Sequence, residues 1–220
     1  MNLNYDSARS FDYENGFYLT SSASRMGRAI SHYELYKRIQ SLSGDIVECG
    51  VFKGVSLMRF ISFVQLFEAA KPRRVIGFDT FGSFPGTNFQ PDQAELEEFI
   101  RETGGGISIS QEELAGYIRS KGFSRAELVK GDILKTVPEF LAKNPDLEIS
   151  LLNIDTDIYE PCKAILEHLA PRVVPGGVIA FDDYGVFAGE TQLADAYAAK
   201  HGFGIEHFAH ARVPAYLVKL

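Results

Sequence analysis

Cysteine is nearly absent from this sequence, and positive charge is in short supply. Cys49 and Cys162 are its only cysteines, too few for a disulfide framework, which points to a reducing compartment. Lys and Arg number 22 against 29 Asp and Glu, a formal charge of −7. Nucleic acid and anionic membrane both need a basic surface, so they are disfavoured as partners. No apolar run approaches the length that spans a bilayer, and none near the start has the form of a signal-peptide core. There is no internal repeat and no low-complexity tract. What is present is a chain of 220 residues, 45% hydrophobic and 23% charged, long enough for one sizeable core and short for two. The expectation is one cytoplasmic domain over residues 1–220 that handles a small molecule.

From residue 45 onward, short apolar runs alternate with helical patterns, as in a parallel sheet covered on both faces. "DIVEC" (45–49), "RVIGFD" (74–79), "AELVKGD" (126–132), "EISLLNI" (148–154) and "GGVIAFDDY" (176–184) read as five strands. After the first, Leu57, Phe60, Ile61, Val64 and Phe67 recur at helical spacing. Pro161 opens a helix after the fourth, with Cys162, Ile165, Leu166 and Leu169 on one face, and "TQLADAYAAKHG" (191–202) is a helix that stops at a glycine. "GIEHFAH" and "VPAYLVKL" lie too close together for a parallel crossover and must pair as an antiparallel hairpin. The predicted fold is therefore α/β: a doubly wound, mostly parallel seven-stranded sheet ending in an antiparallel hairpin. Residues 1–43 form an aromatic N-terminal extension with a helix through "RAISHYELYKRIQSL". Residues 82–125 interrupt the second crossover with one helix after Pro91 and another opened by Ser110 and Glu113 as a capping box. An insertion of that size is expected to act as a lid, or else to supply packing or a dimer surface.

The first strand runs into "VECGVFKGVS", in which Glu48, Gly50 and Gly54 form E-x-G-x-x-x-G. The glycines permit a sharp turn and close approach of a ligand, and the next helix presents its N-terminus there. Phe52 stands where the second glycine of the dinucleotide pattern belongs, which weakens the case for a pyrophosphate. A carboxylate such as Glu48 suits the cationic end of S-adenosylmethionine better. Asp79 ends the second strand, where nucleoside-binding folds place an acid on the ribose hydroxyls. Asp132 ends the third, within reach of an adenine amino group.

"LLNIDTDIYEP" (151–161) ends an apolar strand in Asp155 and Asp157, which would face the same side of an extended chain. Asp182 and Asp183 end the fifth strand, a neighbour about 4.8 Å away. Like charges gathered in this way need a cation, a proton or much water. All four offer oxygen and no Cys or His accompanies them, which favours Mg²⁺, Mn²⁺ or Ca²⁺ over Zn²⁺; otherwise Asp155 and Asp183 cap helices and the rest are solvated. His207 and His210 face opposite sides of a strand and read as structural. His32 either packs or lies over the site.

"LLNIDTDIYEPCKAILEHLAPRVVPGGVIAFDDYG", together with "GDIVECGVFKGVS", "GFDTFGSFP" and "GDILKTVPEFL", resembles the macrocin O-methyltransferase family over residues 30–185. The resemblance implies a class I S-adenosylmethionine-dependent enzyme that methylates sugar hydroxyls of natural products with Mg²⁺. It implies Asp155, Asp182 and Asp183 as metal ligands and Asp157 as general base. It also implies Glu48, Gly50 and Gly54 as the cofactor loop, Asp79 and Asp132 as ribose and adenine contacts, and a homo-oligomer. Tyr159, Tyr184, Phe81 and Phe84 are expected walls for a sugar-like hydroxylated acceptor. Where the family commonly carries an acid this chain has Gly82, a departure that bears on the acceptor. A catechol-type O-methyltransferase, a nicotinamide-dependent oxidoreductase and a non-catalytic cofactor-binding protein remain as alternatives.

Overall fold

The computed structural model describes residues 5–220. Its sheet is built from β1 (Asp45–Cys49), β2 (Val75–Asp79), β3 (Ala126–Lys130), β4 (Ile149–Ile154), β5 (Val173–Phe181), β6 (Glu206–Phe208) and β7 (Ala211–Val218) in the order β3-β2-β1-β4-β5-β7-β6. The first five strands are parallel, and β7 runs antiparallel to both β5 and β6. The seven-stranded sheet with a closing hairpin is thus the observed one. Strand order reverses between β1 and β4, and open α/β sheets bind ligands in the crevice at the strand ends beside such a reversal.

The helices are α1 (Ser10–Thr20), α2 (Ala23–Ile39), α3 (Val55–Phe67), α4 (Gln93–Glu102), α5 (Gln111–Ser120), α6 (Ile133–Lys143), α7 (Tyr159–His168) and α8 (Ala188–His201). Successive strand residues serve opposite faces. Ile46 joins Leu35, Ile39, Leu57 and Phe60 of α2 and α3 in one core, while Val47 joins Val137, Phe140, Ile165 and Ala194 of α6, α7 and α8 in the other. Every residue of β4 is buried, as a central strand covered on both faces requires. Cys49 and Cys162 are buried free thiols packed in the second core.

Several boundaries differ from expectation. β5 begins at Val173 and stops at Phe181, so Asp182 and Asp183 lie beyond the strand, in the turn before α8. Helix α2 starts at Ala23, a turn earlier than its apolar stripe suggests. Phe67 is half exposed at the end of α3 rather than part of the buried stripe.

The insertion contains α4 and α5 as expected, and the Ser110 hydroxyl accepts from the Glu113 N–H at 3.2 Å. Two of its ties run to the helices that follow β4 and β5. Asp92 accepts from the N–H of Tyr159 (3.0 Å) and of Gly189 (2.7 Å). It thereby caps α7 and α8, whose own preceding residues, Ile158 and Phe187, supply no side-chain cap. Glu160 accepts from the Thr87 hydroxyl and the Asn88 N–H, both at 2.8 Å. Among the described residues no helix is long and apolar enough to cross a membrane.

Candidate functional site

Three strands end in the same uncommon way. Phe52 after β1, Phe81 after β2 and Asp157 after β4 are non-glycine residues in left-handed backbone, with φ of 48°, 46° and 61°. Such conformations are costly for L residues and collect where a site is assembled. Gly50, with φ of 90°, marks a closer constraint: a Cβ there would fall 1.7 Å from the carbonyl oxygen of Asp155. The turns after β1 and β4 therefore meet backbone to backbone, and only glycine fits. Gly54 precedes α3 with φ of 81°, and a Cβ on it would press against Leu114 of α5 at 2.8 Å.

A cavity of about 890 Å³ lies over these strand ends. Gly50, Asp79 and Asp132 line one part of it and Asp155, Asp157, Asp182 and Asp183 another, with Phe84 and Phe99 of the insertion and Arg28 of α2 closing over them. Phe84 is the one expected aromatic wall that lines it. Phe81 is buried in the core with α3, Tyr159 stacks on Phe89 at 4.6 Å, and the Tyr184 hydroxyl donates to Asp195.

The acids converge, though not by the expected route or with the expected membership. Carboxylate oxygens of Asp155, Asp157 and Asp183 lie within 4.8 Å of one another. β4 ends at Ile154, so it is the left-handed turn at Asp157, not strand alternation, that brings the two aspartates of "DTD" together. Asp182 is oriented differently. Its Oδ2 accepts from Arg28 Nη2, and its Oδ1 lies 3.5 Å from His32 Nε2. Arg28 Nη2 also reaches Asp182 O at 3.2 Å and Asp183 Oδ1 at 3.5 Å.

Withdrawal from water pushes Asp155 and Asp157 well above the ordinary carboxylate range, and the charges of the neighbouring acids push the same way. It raises Asp183 as well. Asp182 goes the other way: burial opposes its ionisation, but the hydrogen bond from His32 and the charge of Arg28 outweigh it and hold the carboxyl below its usual value. Beneath them Glu190 of α8, fully buried, accepts from the Asp183 N–H at 2.8 Å through Oε1; burial, then the Asp183 charge, raise its pKa.

Arg28, Arg59 and Glu190 were not singled out from the sequence. The four acids signalled a missing positive charge, but its source is a helix more than 120 positions away, a pairing that no local spacing reveals. His32 does both things considered for it: it packs against Phe60 with centroids 5.2 Å apart and the rings tilted by 31°, and it faces Asp182.

The residues expected at the cofactor loop and at the ribose and adenine differ in their surroundings. Glu48 is fully buried and does not line the cavity. Ser56 Oγ donates to it at 3.0 Å and Asn153 Nδ2 at 3.3 Å, and burial pushes its pKa to about 8 despite these bonds. Asp79 accepts from the N–H groups of Val51 and Phe52 (both 2.9 Å) and Phe81 (2.6 Å) and from Ser108 Oγ (2.8 Å), so it ties the glycine turn to the insertion. Asp132 caps α6 by accepting from the Leu134 N–H at 3.0 Å while also lining the cavity.

Residues 27–208 match the family model described as Macrocin-O-methyltransferase (TylF). The chain belongs to the macrocin O-methyltransferase family. Among curated relatives, the 8-demethyl-8-(2,3-dimethoxy-alpha-L-rhamnosyl)-tetracenomycin-C 4'-O-methyltransferase of Streptomyces olivaceus is 27% identical over 161 residues, 72% of this chain and 59% of that protein. The mycinamicin III 3''-O-methyltransferase of Micromonospora griseorubida is 25% identical over 74% of this chain and 63% of its own length. This macrocin O-methyltransferase family member thus spans about six tenths of the length of the curated relatives it matches. The crystal structure of a calicheamicin methyltransferase superposes with a TM-score of 0.78 at 28% identity, covering 98% of this chain and 88% of that one. The O-methyltransferase NovP, at 22% identity and a TM-score of 0.73 over 88% of this chain and 79% of that one, shares the fold.

Proposed function

We propose that this protein is an S-adenosylmethionine-dependent O-methyltransferase acting on a sugar hydroxyl of a small natural product, with a divalent cation, Mg²⁺ foremost, at its acid cluster. The observation that carries this reading is the convergence of Asp155, Asp157 and Asp183 within 4.8 Å on one wall of the cavity that the glycine turn also lines. Family membership and relatives named as O-methyltransferases of rhamnosyl tetracenomycin and mycinamicin support the same class.

The residues fit a hard cation. All the donors are carboxylate oxygens, burial and then mutual repulsion raise the pKa values of Asp155 and Asp157, and Arg28, which holds Asp182 ionised, is the only Lys or Arg bonded to the cluster among the described residues. Asp155, Asp182 and Asp183 are the proposed ligands. A cation bound there would supply positive charge against the acceptor hydroxyl, lowering its pKa and fixing its orientation. S-adenosylmethionine, when bound, would supply the methyl group on a sulfonium that is already a good leaving group.

The chain's own work is positioning and deprotonation. Asp157 takes the hydroxyl proton, its carboxylate held at the cavity wall by the left-handed turn. Gly50 and Gly54 shape the turn for the cofactor. Asp79 sets that turn first, since its oxygens already accept from four close donors, and reaches a ribose hydroxyl by exchanging the Ser108 hydroxyl for it. Asp132 reads the adenine from the start of α6, and Glu48 supports the turn from within the sheet. The insertion roofs the reaction from water.

Calorimetric titration of S-adenosylhomocysteine, with Mg²⁺ and with EDTA, tests the cofactor; turnover on glycosylated acceptors tests the chemistry. The Asp155→Asn and Asp182→Asn variants are expected to lose turnover by at least about 10²-fold while S-adenosylhomocysteine affinity stays within a few-fold. Normal turnover in both would remove the metal from the reading.

A further inference from the structure

We infer that Arg59 forms an oxyanion subsite in the cavity, which takes a carboxylate or phosphate group of a bound ligand. The inference rests on the function proposed above and adds to it a group that the aspartates do not read.

Five arginines among the described residues are partly buried: Arg28, Arg59, Arg73, Arg74 and Arg172. Four have an anionic or carbonyl partner: Asp182 for Arg28, Glu68 for Arg73, Asp45 for Arg74 and the Pro145 carbonyl for Arg172. Arg59 has neither. Its Nη1 lies 3.5 Å from Nδ1 of His32, its one recorded side-chain partner. The other ring nitrogen, Nε2, faces Asp182 at 3.5 Å. A histidine ring carries no negative charge, so His32 offers Arg59 no countercharge.

Arg59 belongs to the second turn of α3, the helix that opens from the glycine turn, and it lines the cavity with Ser56 one turn before it. Arg25 of α2 lines the same side. Burial lowers the pKa of the Arg59 guanidinium, the charge of Arg28 lowers it further, and the more distant charges of Asp182 and Glu48 offset this only in part. In a protein with seven more acids than bases, a half-buried guanidinium without an acid is the exception, and leaving it so is costly. A ligand oxyanion between Arg59 and the N-terminal end of α3 meets both the side-chain charge and the helix dipole. Two sources are within the cavity's chemistry: the α-carboxylate of the methyl donor, and a phosphate on a nucleotide-linked acceptor.

The test is calorimetry on the full chain in EDTA, so that a diphosphate cannot report a metal. Arg59→Met keeps the stem and removes the charge. The probes are S-adenosylhomocysteine, which carries the carboxylate; 5′-methylthioadenosine, which keeps nucleoside and thioether without it; and thymidine diphosphate. The expected result is a loss of about tenfold or more for one charged probe, with methylthioadenosine held within twofold. Loss of S-adenosylhomocysteine affinity identifies the carboxylate as the source, and loss of thymidine diphosphate affinity identifies the phosphate. Unchanged affinity for both overturns the inference. If Arg59→Met also loses methylthioadenosine, Arg59→Lys decides: partial recovery of the charged probe supports the subsite, and no recovery overturns it. Failure of the unaltered protein to bind any adenosyl probe would instead sink the proposed function.

Discussion

Arg28 has the clearest measurable consequence of any single residue. Its guanidinium bonds Asp182 and approaches Asp183, and its charge also acts on Asp155 and Asp157. Without it, these acids would share a poorly hydrated space with no positive neighbour in bonding distance among the described residues. Arg28→Met should therefore lower the melting temperature in EDTA, by a few kcal/mol in stability as for other broken buried pairs. Millimolar Mg²⁺ or Mn²⁺ should restore most of the loss, because the cation replaces the missing charge. A thermal melt with and without metal checks this; a deficit indifferent to metal would mean that Arg28 serves packing alone. Glu48 supplies a pH signature. Its pKa rises from the usual 4.5 to about 8 in the fold, so between those values the folded chain holds a proton that the unfolded chain has released. The stability it contributes is complete below about pH 4.5 and is lost as pH rises through about 8. Glu48→Gln is neutral throughout and should flatten this fall. Urea midpoints at pH 5, 6, 7 and 8 in excess Mg²⁺, which keeps the aspartates from titrating together, would read the difference between the two proteins. Parallel pH profiles would place the shift elsewhere.

At the scale of elements, strands were more legible than helices, for physical reasons that particular segments make plain. β4 is apolar at four of its six positions, on both faces, because both its faces are covered, and β6 and β7 are joined too tightly to be anything but a hairpin. The carboxylates followed from these placements, since Asp155 and Asp182 come just after paired residues Ile154 and Phe181. Helix α1 left no trace: none of its residues is buried, so it has no apolar stripe to read. Helix α6 has its stripe in Ile133, Val137 and Phe140, but Pro138 in its interior obscures it. The function of the insertion was equally hidden, because Asp92 looks like any surface acid until α7 and α8 are seen to lack caps of their own. Losing one cap costs about 1 kcal/mol, so Asp92→Ala should cost about 2 kcal/mol across the two helices. It also frees the insertion from the helices that follow the two acidic turns. Limited proteolysis should then cut within residues 82–125 faster than in the unaltered protein, and the acceleration should survive saturation with S-adenosylhomocysteine. Equal cleavage rates would mean that Glu160 and the Ser108–Asp79 hydrogen bond suffice to hold the insertion.

On the scale of the whole molecule, the sheet places two half-sites on either side of the point where strand order reverses. The glycine turn follows β1 and the acidic turn follows β4, and these strands are direct neighbours. They are not independent, because Gly50 and Asp155 leave no space for even one carbon between them. A shift of either turn moves the other, so a ligand that settles one turn prepares the second. Linkage then demands reciprocity: if Mg²⁺ tightens S-adenosylhomocysteine by some factor, S-adenosylhomocysteine must tighten Mg²⁺ by the same factor. A coupling of about 1 kcal/mol, or roughly fivefold, is the expected scale. Titrating each ligand in the absence and presence of the other measures both factors. Gly50→Ala supplies the structural control, since its Cβ forces the turns apart and should weaken both ligands at once, whereas Asp155→Asn should weaken the metal and leave S-adenosylhomocysteine affinity in EDTA nearly unchanged. If Gly50→Ala impaired one ligand alone, the two turns would move separately, and the switch point would be two neighbouring sites and not one coupled device.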